Sequence, residues 1–403
     1  METGQSAYRY QRTPHQKSIT IASQPAVTLE EAVRFIEQRE ESALSADLIA
    51  AKRDLKHQLQ DPELRETDIG GRDPRIDRFV LSRDELTQMS RLSPELWLRF
   101  IEYRYKFKIY PRRQILNDFP IVICVEPTSI CNLRCQMCFQ SDASFSSDKS
   151  FLGMMDFGLY TRIVDEMNAN QCDSLVLASR GEPTLHPKFA DMLSYATQRI
   201  LDVKINTNAT KLSEKLCHKI LEADPNVVVF SIDSADPAQY EQIRKGAKFS
   251  EVLENVKRFR DIREKHYSQA RTTTRISSTL FREDQDQQRI RLFWAEYADQ
   301  VALHTAWPFW DSYHAPLSEV TNPCGLLWER VYIWWDGVCN PCDIDYKSLL
   351  SLGKIPAHAG EKIETHGGIK EIWLGERALQ LRQEHQAARK NALVPCNRCS
   401  GTV

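Results

Sequence analysis

Three cysteines within eight residues, Cys131, Cys135 and Cys138 in the run CNLRCQMC, constrain this chain more than any other feature. They directly follow an apolar run, IVICVE from Ile121 to Glu126, that reads as a buried β-strand. Four thiolates would close a tetrahedral metal or complete an iron–sulfur cluster. Three leave one coordination position open, which is where metal chemistry takes place. On spacing alone, three buried thiols or a zinc knuckle are the alternatives. Eleven cysteines in a chain whose first residues, METGQSAYRYQRTPHQ, hold no apolar signal run read as ligands and free thiols. The expected compartment is reducing and cytoplasmic. No run approaches a membrane span, and a formal net charge of −2 offers no broad footprint for a membrane or nucleic acid.

Residues 1–115 are polar and charge-rich. Helical periodicity runs through TLEEAVRFIEQREESALSADLIAAKRDLKHQL, where Thr28 and Glu31 have the spacing of a capping box. It returns in SPELWLRFIEYRYKF, where Leu96, Phe100 and Tyr103 share a face. The PEL, RET and GGRDPR runs between them read as loop. The expectation is a helical extension packed on a catalytic domain or presented to a partner. Between residues 116 and 315, β-rich runs alternate with helical ones: IVICVE, DSLVLAS, DVKINTN, NVVVFSID, RTTTRISST and VALHTA are the strands. Six βα units predict an α/β fold with a partial (β/α)6 barrel, its chemistry at the strand C-terminal ends. Residues 316–403 make a third, cysteine-rich unit.

The cysteine loop resembles that of the radical S-adenosylmethionine (radical SAM) enzymes, and further motifs follow in the family's order. The resemblance implies that Cys131, Cys135 and Cys138 hold a 4Fe–4S cluster whose fourth iron takes the amino and carboxylate groups of S-adenosylmethionine. SRGEPTLHP, after the second strand, is similar to the family's Gly-Gly-Glu turn. Gly181 and Glu182 match it and are expected to meet the cofactor's ammonium; Arg180 replaces the first glycine. NTNAT and SIDSAD place Asn208, Ser231 and Asp233 where the family binds ribose or carboxylate. Arg244 resembles the arginine that meets the carboxylate, a partner suited to a guanidinium. Met137 stands where an aromatic residue usually packs on the adenine. The glycine pattern of the last strands is absent around RISST.

Five more cysteines lie in NPCGLLWERVYIWWDGVCNPCDIDY and VPCNRCSG, and these segments resemble the SPASM and shorter twitch domains. The resemblance implies a second, auxiliary 4Fe–4S cluster on Cys324, Cys342, Cys396 and Cys399. Cys339 in place of Cys342 is the alternative, and a four-cysteine zinc ribbon is another. Left over, Cys339 is a candidate catalytic hydrogen donor on a hairpin turned by Asp336 and Gly337. Trp307, Trp310 and Tyr313, with Asp311, His314 and Asp343, are candidate walls of a substrate cavity. The resemblance implies a radical enzyme that oxidises or epimerizes a small polar substrate, carbohydrates among them. Its electrons would come from a low-potential donor such as flavodoxin or ferredoxin. A peptide-modifying maturase and a non-catalytic zinc or iron–sulfur protein are the competing readings.

Overall fold

Short β-branched runs alternating with amphipathic helices bury both faces of every strand when the strands stack in parallel. The computed structural model describes residues 19–20, 27–61, 64, 77–306, 309–356 and 367–399. Its strands are β1 (Ile19–Thr20), β2 (Val122–Val125), β3 (Arg134–Cys135), β4 (Ser174–Leu177), β5 (Asp202–Thr207) and β6 (Val227–Ser231). They continue as β7 (Arg244–Lys245), β8 (Thr273–Leu280), β9 (Gln300–Thr305), β10 (Arg330–Ile333), β11 (Val338–Asn340) and β12 (Gly353–Lys354). The neighbours β2, β4, β5, β6, β8 and β9 pair in parallel in that order, and they are the six strands expected from sequence. Helices Phe157–Ala169, Phe189–Thr197, Glu214–Ala223, Phe249–His266 and Gln287–Trp294 share an apolar core with them. Alternation along β5 sets its two faces: Val203 and Ile205 join that core, while Lys204 and Asn206 face a cavity inside the barrel.

Both edges of this sheet are extended. β1 pairs antiparallel with β9, and β10 lies parallel to β2, followed by the antiparallel ribbon of β11 and β12. The cysteine-rich C-terminal unit therefore grows out of the barrel sheet beside its first strand. One helical pattern in the sequence is interrupted. The run from Tyr240 to Lys265 divides into Pro237–Ile243 and Phe249–His266, because β7 leaves it to pair with β3 in the cysteine loop. Gly246, at φ +99°, makes the turn back.

The N-terminal helices Leu29–Glu37, Ala46–Gln60, Arg83–Ser90 and Trp97–Arg113 form one apolar cluster with Ile121, Val122, Cys124, Val176, Leu201 and Tyr332. The capping box is present: the Thr28 hydroxyl accepts from Glu31 N at 3.2 Å, and Thr28 N donates to Glu31 Oε2 at 2.7 Å. Arg99 pairs with Asp173, and the Tyr103 hydroxyl donates to Asp202 Oδ2 at 2.9 Å. Arg91 donates to the carbonyls of Arg271 and Thr272. These partners sit at the N-terminal starts of β4, β5 and β8, so the extension closes the barrel floor. Trp307 and the stretch from 65 to 76, with RET and GGRDPR, lie outside the described residues. Among the described residues no helix is long and apolar enough to cross a membrane.

A buried ionic cluster fixes this floor. Glu85 takes 2.5 Å contacts from both Lys108 Nζ and Arg104 Nη2. It also accepts from Ser82 N at 2.8 Å. Burial alone would raise the Glu85 carboxyl, but the charges of Lys108 and Arg104 outweigh it and hold its pKa at about 2. A depressed folded-state pKa contributes stability above the unfolded value and loses it as pH falls toward 2. Glu85→Gln strands two buried cations and should cost about 3–5 kcal/mol. The measurement is urea unfolding at pH 7 and pH 3, where the gap between wild type and variant should narrow at the lower pH.

Candidate active site

The cysteine loop leaves the C-terminal end of β2 and is pinned on three sides. Cys135 sits opposite Arg244 in the β3–β7 ladder. Gln140 Nε2 donates to Ser129 O at 2.9 Å and to Arg180 O at 2.6 Å, tying the loop to the turn after β4. Donors already point at the sulfurs: Leu133 N at 3.4 Å from Cys131 Sγ, Gln140 N at 3.5 Å from Cys138 Sγ and Arg244 Nη1 at 3.9 Å from Cys135 Sγ. Such contacts set the potential of a cluster held there. Burial pushes the Cys131 thiol up to about 11 and raises Cys135 and Cys138 as well, so metal binding must displace their protons.

The turn after β4 fits against this loop. A Cβ on Gly181 would run into the carbonyls of Thr128 and Ile130, so the backbone approaches as closely as only glycine allows. Glu182 is 3% exposed and accepts from Thr207 Oγ1 at 2.6 Å, Thr184 Oγ1 at 2.6 Å and Asn208 N at 2.7 Å. Burial, opposed by these hydrogen bonds, raises its pKa. Ser179 Oγ and Asn206 Oδ1 line the same cavity and are buried without a partner among the described residues. Donor set, glycine cradle and orphaned acceptors together fit a polar, cationic cofactor such as S-adenosylmethionine.

Arg180, the departure from a second glycine, is also accounted for. Its guanidinium forms a bidentate pair with Glu126, at 2.7 Å for both contacts, and donates to Tyr346 O at 2.9 Å. It stacks 4.2 Å from the Trp334 ring. The side chain thus points away from the cofactor turn into the C-terminal unit.

A cavity of about 470 Å³ gathers Cys131, Cys135, Cys138, Met137, Gly181, Glu182, Asn208, Ser231 and Arg244. Asp233 is not among its lining residues: it is fully buried and accepts from Arg244 Nε at 2.6 Å and Thr279 N at 2.7 Å, orienting the arginine instead. Asp343 lines the cavity, with Phe309 from the expected aromatic segment. Trp310 packs edge-on against Phe281, Tyr313 donates to Asp345 Oδ1, and His314 is exposed; with Asp311 they stay off the lining. The sequence reading missed Lys204, Arg330 and Tyr332. The polar residues spaced by two in DVKINT were the available signal, because alternate residues of a strand face one side of the sheet, here the inside of the partial barrel.

The C-terminal cysteines separate cleanly. After burial, the largest influences on Cys342 include Cys396 and Cys324, and those on Cys396 are Cys324 and Cys399. All four are partly exposed. Cys339 differs: it has no exposed surface, its Sγ lies 3.7 Å from Gly337 O, and it belongs to the apolar core beside the charges of Glu166 and Asp336. Cys339, the candidate hydrogen donor, is not among the residues lining the cavity. The alternation of β11 turns Cys339 into the core, whereas Cys342, past the strand end, lies within electrostatic reach of Cys396 and Cys324. Among the described residues no three His, Cys, Asp or Glu side chains lie close enough to hold a single metal ion. A cube-shaped cluster takes ligands spread around a larger body, which both cysteine sets fit.

A partial parallel barrel thus carries a three-thiol loop at its strand ends and a second thiol set beside it, two donor sets of the kind that iron–sulfur clusters need. Residues 125–277 match the profile of the radical SAM superfamily, and residues 324–400 match that of an iron–sulfur cluster-binding (SPASM) domain. It is 34% identical over 116 residues to the tungsten-containing aldehyde ferredoxin oxidoreductase cofactor-modifying protein of Pyrococcus furiosus, covering 28% of this chain and 31% of that protein. It is 29% identical over 142 residues to the mycofactocin maturase MftC of Mycobacterium ulcerans, covering 34% and 37%. The chain therefore matches about a third of the length of these curated relatives. Streptococcus suis SuiB bound to its precursor peptide SuiA superposes with a TM-score of 0.51 at 13% identity, over 94% of this chain and 89% of that one. That likeness is one of fold.

Anaerobic reconstitution should load about eight irons per chain, four for each cluster. Cys342→Ala should lower this to about four, and Cys339→Ala should leave it unchanged; iron and sulfide assays check both.

Proposed function

We propose that the protein oxidises a small polar substrate, removing two hydrogens, with S-adenosylmethionine as the radical source. One observation carries this reading: a single cavity joins the three-cysteine loop, the Gly181–Glu182 turn and the inward polar residues of β5 and β10. About 470 Å³ suits a small molecule better than a peptide chain. When bound and reduced at the open iron, S-adenosylmethionine supplies the carbon radical that abstracts a substrate hydrogen. Gly181 and Glu182 orient the cofactor's ammonium, Arg244 is aimed by Asp233, and Met137 offers a polarizable surface for the adenine. The N-terminal helices close the floor and keep bulk water from the radical. Cys324, Cys342, Cys396 and Cys399 leave no open position on a cluster. They suit a relay that receives the electron the substrate gives up along with its second proton. The first electron enters from a low-potential donor such as flavodoxin or ferredoxin, in a reducing, cytoplasmic setting.

Epimerization is the second reading, and one observation favours it. Cys124 lines the cavity, and burial raises its pKa and keeps the thiol protonated, as hydrogen-atom donation requires. Its Sγ lies 3.7 Å from Arg330 Nη1.

Replacing Cys131, Cys135 and Cys138 together by Ala should abolish 5′-deoxyadenosine formation under anaerobic reduction. Replacing Cys396 and Cys399 should spare some cofactor cleavage and remove substrate turnover. Wild-type cleavage by the triple variant would overturn the assignment. Turnover in deuterium oxide separates the two fates: oxidation gives a product two hydrogens lighter without deuterium at the reacting carbon. Epimerization through Cys124 returns one deuterium there, and Cys124→Ala stops it.

A further inference from the structure

The floor of the cavity carries a cation that the fold does not neutralise. Lys204 faces inward from β5. Ladder register sets it level with Val176 on β4, Val176 level with Cys124 on β2, and Cys124 level with Tyr332 on β10. Asn208, at the cofactor end, is four residues further along, on the order of 13 Å at strand rise. Lys204 therefore lies in the layer beneath the cofactor site, just above the N-terminal helices that close the barrel.

The charged groups around it are otherwise engaged. Arg275 on β8 donates to Gln300 Oε1 at 2.6 Å and lies 3.7 Å from Asp84. Arg330 on β10 pairs with Glu329. Asp202, on the same strand as Lys204, accepts from the Tyr103 hydroxyl. The Asp343 carboxyl is raised by burial, which favours its neutral form. Among the described residues Lys204 has no hydrogen bond and no ion pair. Burial, then the charges of Arg275 and Arg330, hold its ammonium at about 8. Lys204 keeps part of its surface open to the cavity, and a half-buried cation without a counter-charge is costly. An arriving oxyanion would relieve that cost and gain charge-assisted hydrogen bonds.

Building on the oxidation reading of this cavity, we infer that Lys204 binds an anionic oxygen group of the substrate, a carboxylate or a phosphate. The substrate is thus an acid that enters anion first and presents its other end to the cofactor. The neutral hydrogen-bonding groups one layer up, Asn206 Oδ1 and Ser179 Oγ, then meet its donors.

The test is calorimetric titration of the cluster-loaded chain, with saturating S-adenosylmethionine, using acetate and inorganic phosphate at constant ionic strength. One anion should bind per chain. Lys204→Met should weaken it at least about tenfold, as loss of a charge-assisted hydrogen bond implies. Lys204→Arg, which keeps the charge, should restore most of the affinity, and this a purely structural lysine would not do. Preference for phosphate identifies a phosphorylated substrate, preference for acetate a carboxylic acid. The inference falls if wild type binds neither anion, if Lys204→Met binds as wild type does, or if S-adenosylmethionine displaces the anion. Far-ultraviolet circular dichroism checks the folding of both variants. Failure of the underlying reading is separately visible as wild-type protein that forms no 5′-deoxyadenosine.

Discussion

The buried pair between Glu126 and Arg180 joins every part of the catalytic end. Glu126 closes β2 immediately before the cysteine loop, and Arg180 opens the cofactor turn after β4. The guanidinium then reaches the Tyr346 carbonyl and the Trp334 face in the C-terminal unit. Trp335 N donates back to Glu126 at 3.3 Å. Two fully desolvated charges gain little net stability over an apolar pair of the same shape, but they tolerate only one geometry. Here that geometry sets the spacing between two cluster sites and one cofactor turn. Electron transfer and radical chemistry both depend on such spacing, and an apolar contact would hold it less strictly.

Tyr346 extends the connection. Its ring lies 5.2 Å from that of Phe139, the residue after Cys138, and its hydroxyl donates to Asp142 at 2.7 Å. The segment following Cys138 is therefore packed against the segment following Cys342. The barrel and the C-terminal unit form a continuous sheet through β2 and β10 and a continuous aromatic cluster above it. The opposite end has the reverse character. Its N-terminal helices bury apolar side chains and the Glu85 charge cluster against the strand starts. One end of the barrel is closed by packing, and the other keeps an opening where cofactor and substrate can meet.

Much of this was legible because its signals are local. Strand and helix periods, the C-x₃-C-x₂-C spacing and the Thr28–Glu31 cap each depend on residues within one or two turns of chain. The exceptions share a physical cause, which is dependence on partners remote in sequence. Arg180 looked like a defect in a glycine turn because its partners are Glu126, 54 residues away, and Tyr346, 166 away. Asp233 reads as a ligand to the cofactor until Arg244 and Thr279 N are seen to occupy its oxygens. The break at Arg244 within a helical pattern is caused by the cysteine loop pairing with it, which no helical propensity records.

The cysteines make the same point at the scale of one atom layer. Cys124 and Cys339 both sit in strands of one sheet, and composition cannot tell them apart. Alternation along β2 turns Cys124 into the cavity beneath the cofactor turn, whereas alternation along β11 turns Cys339 into the apolar core. Lys204 follows the rule that governs Cys124: an inward position in a partial barrel is neither surface nor core, so a polar residue there has chiefly the cavity contents to answer it. In this chain the inward layer holds a thiol, an ammonium and a phenol, with an uncommitted amide one layer up. Such a layer is poor packing and a good receptor, and the closure of the floor by the N-terminal helices makes each of those groups worth more to a bound ligand than it would be in water.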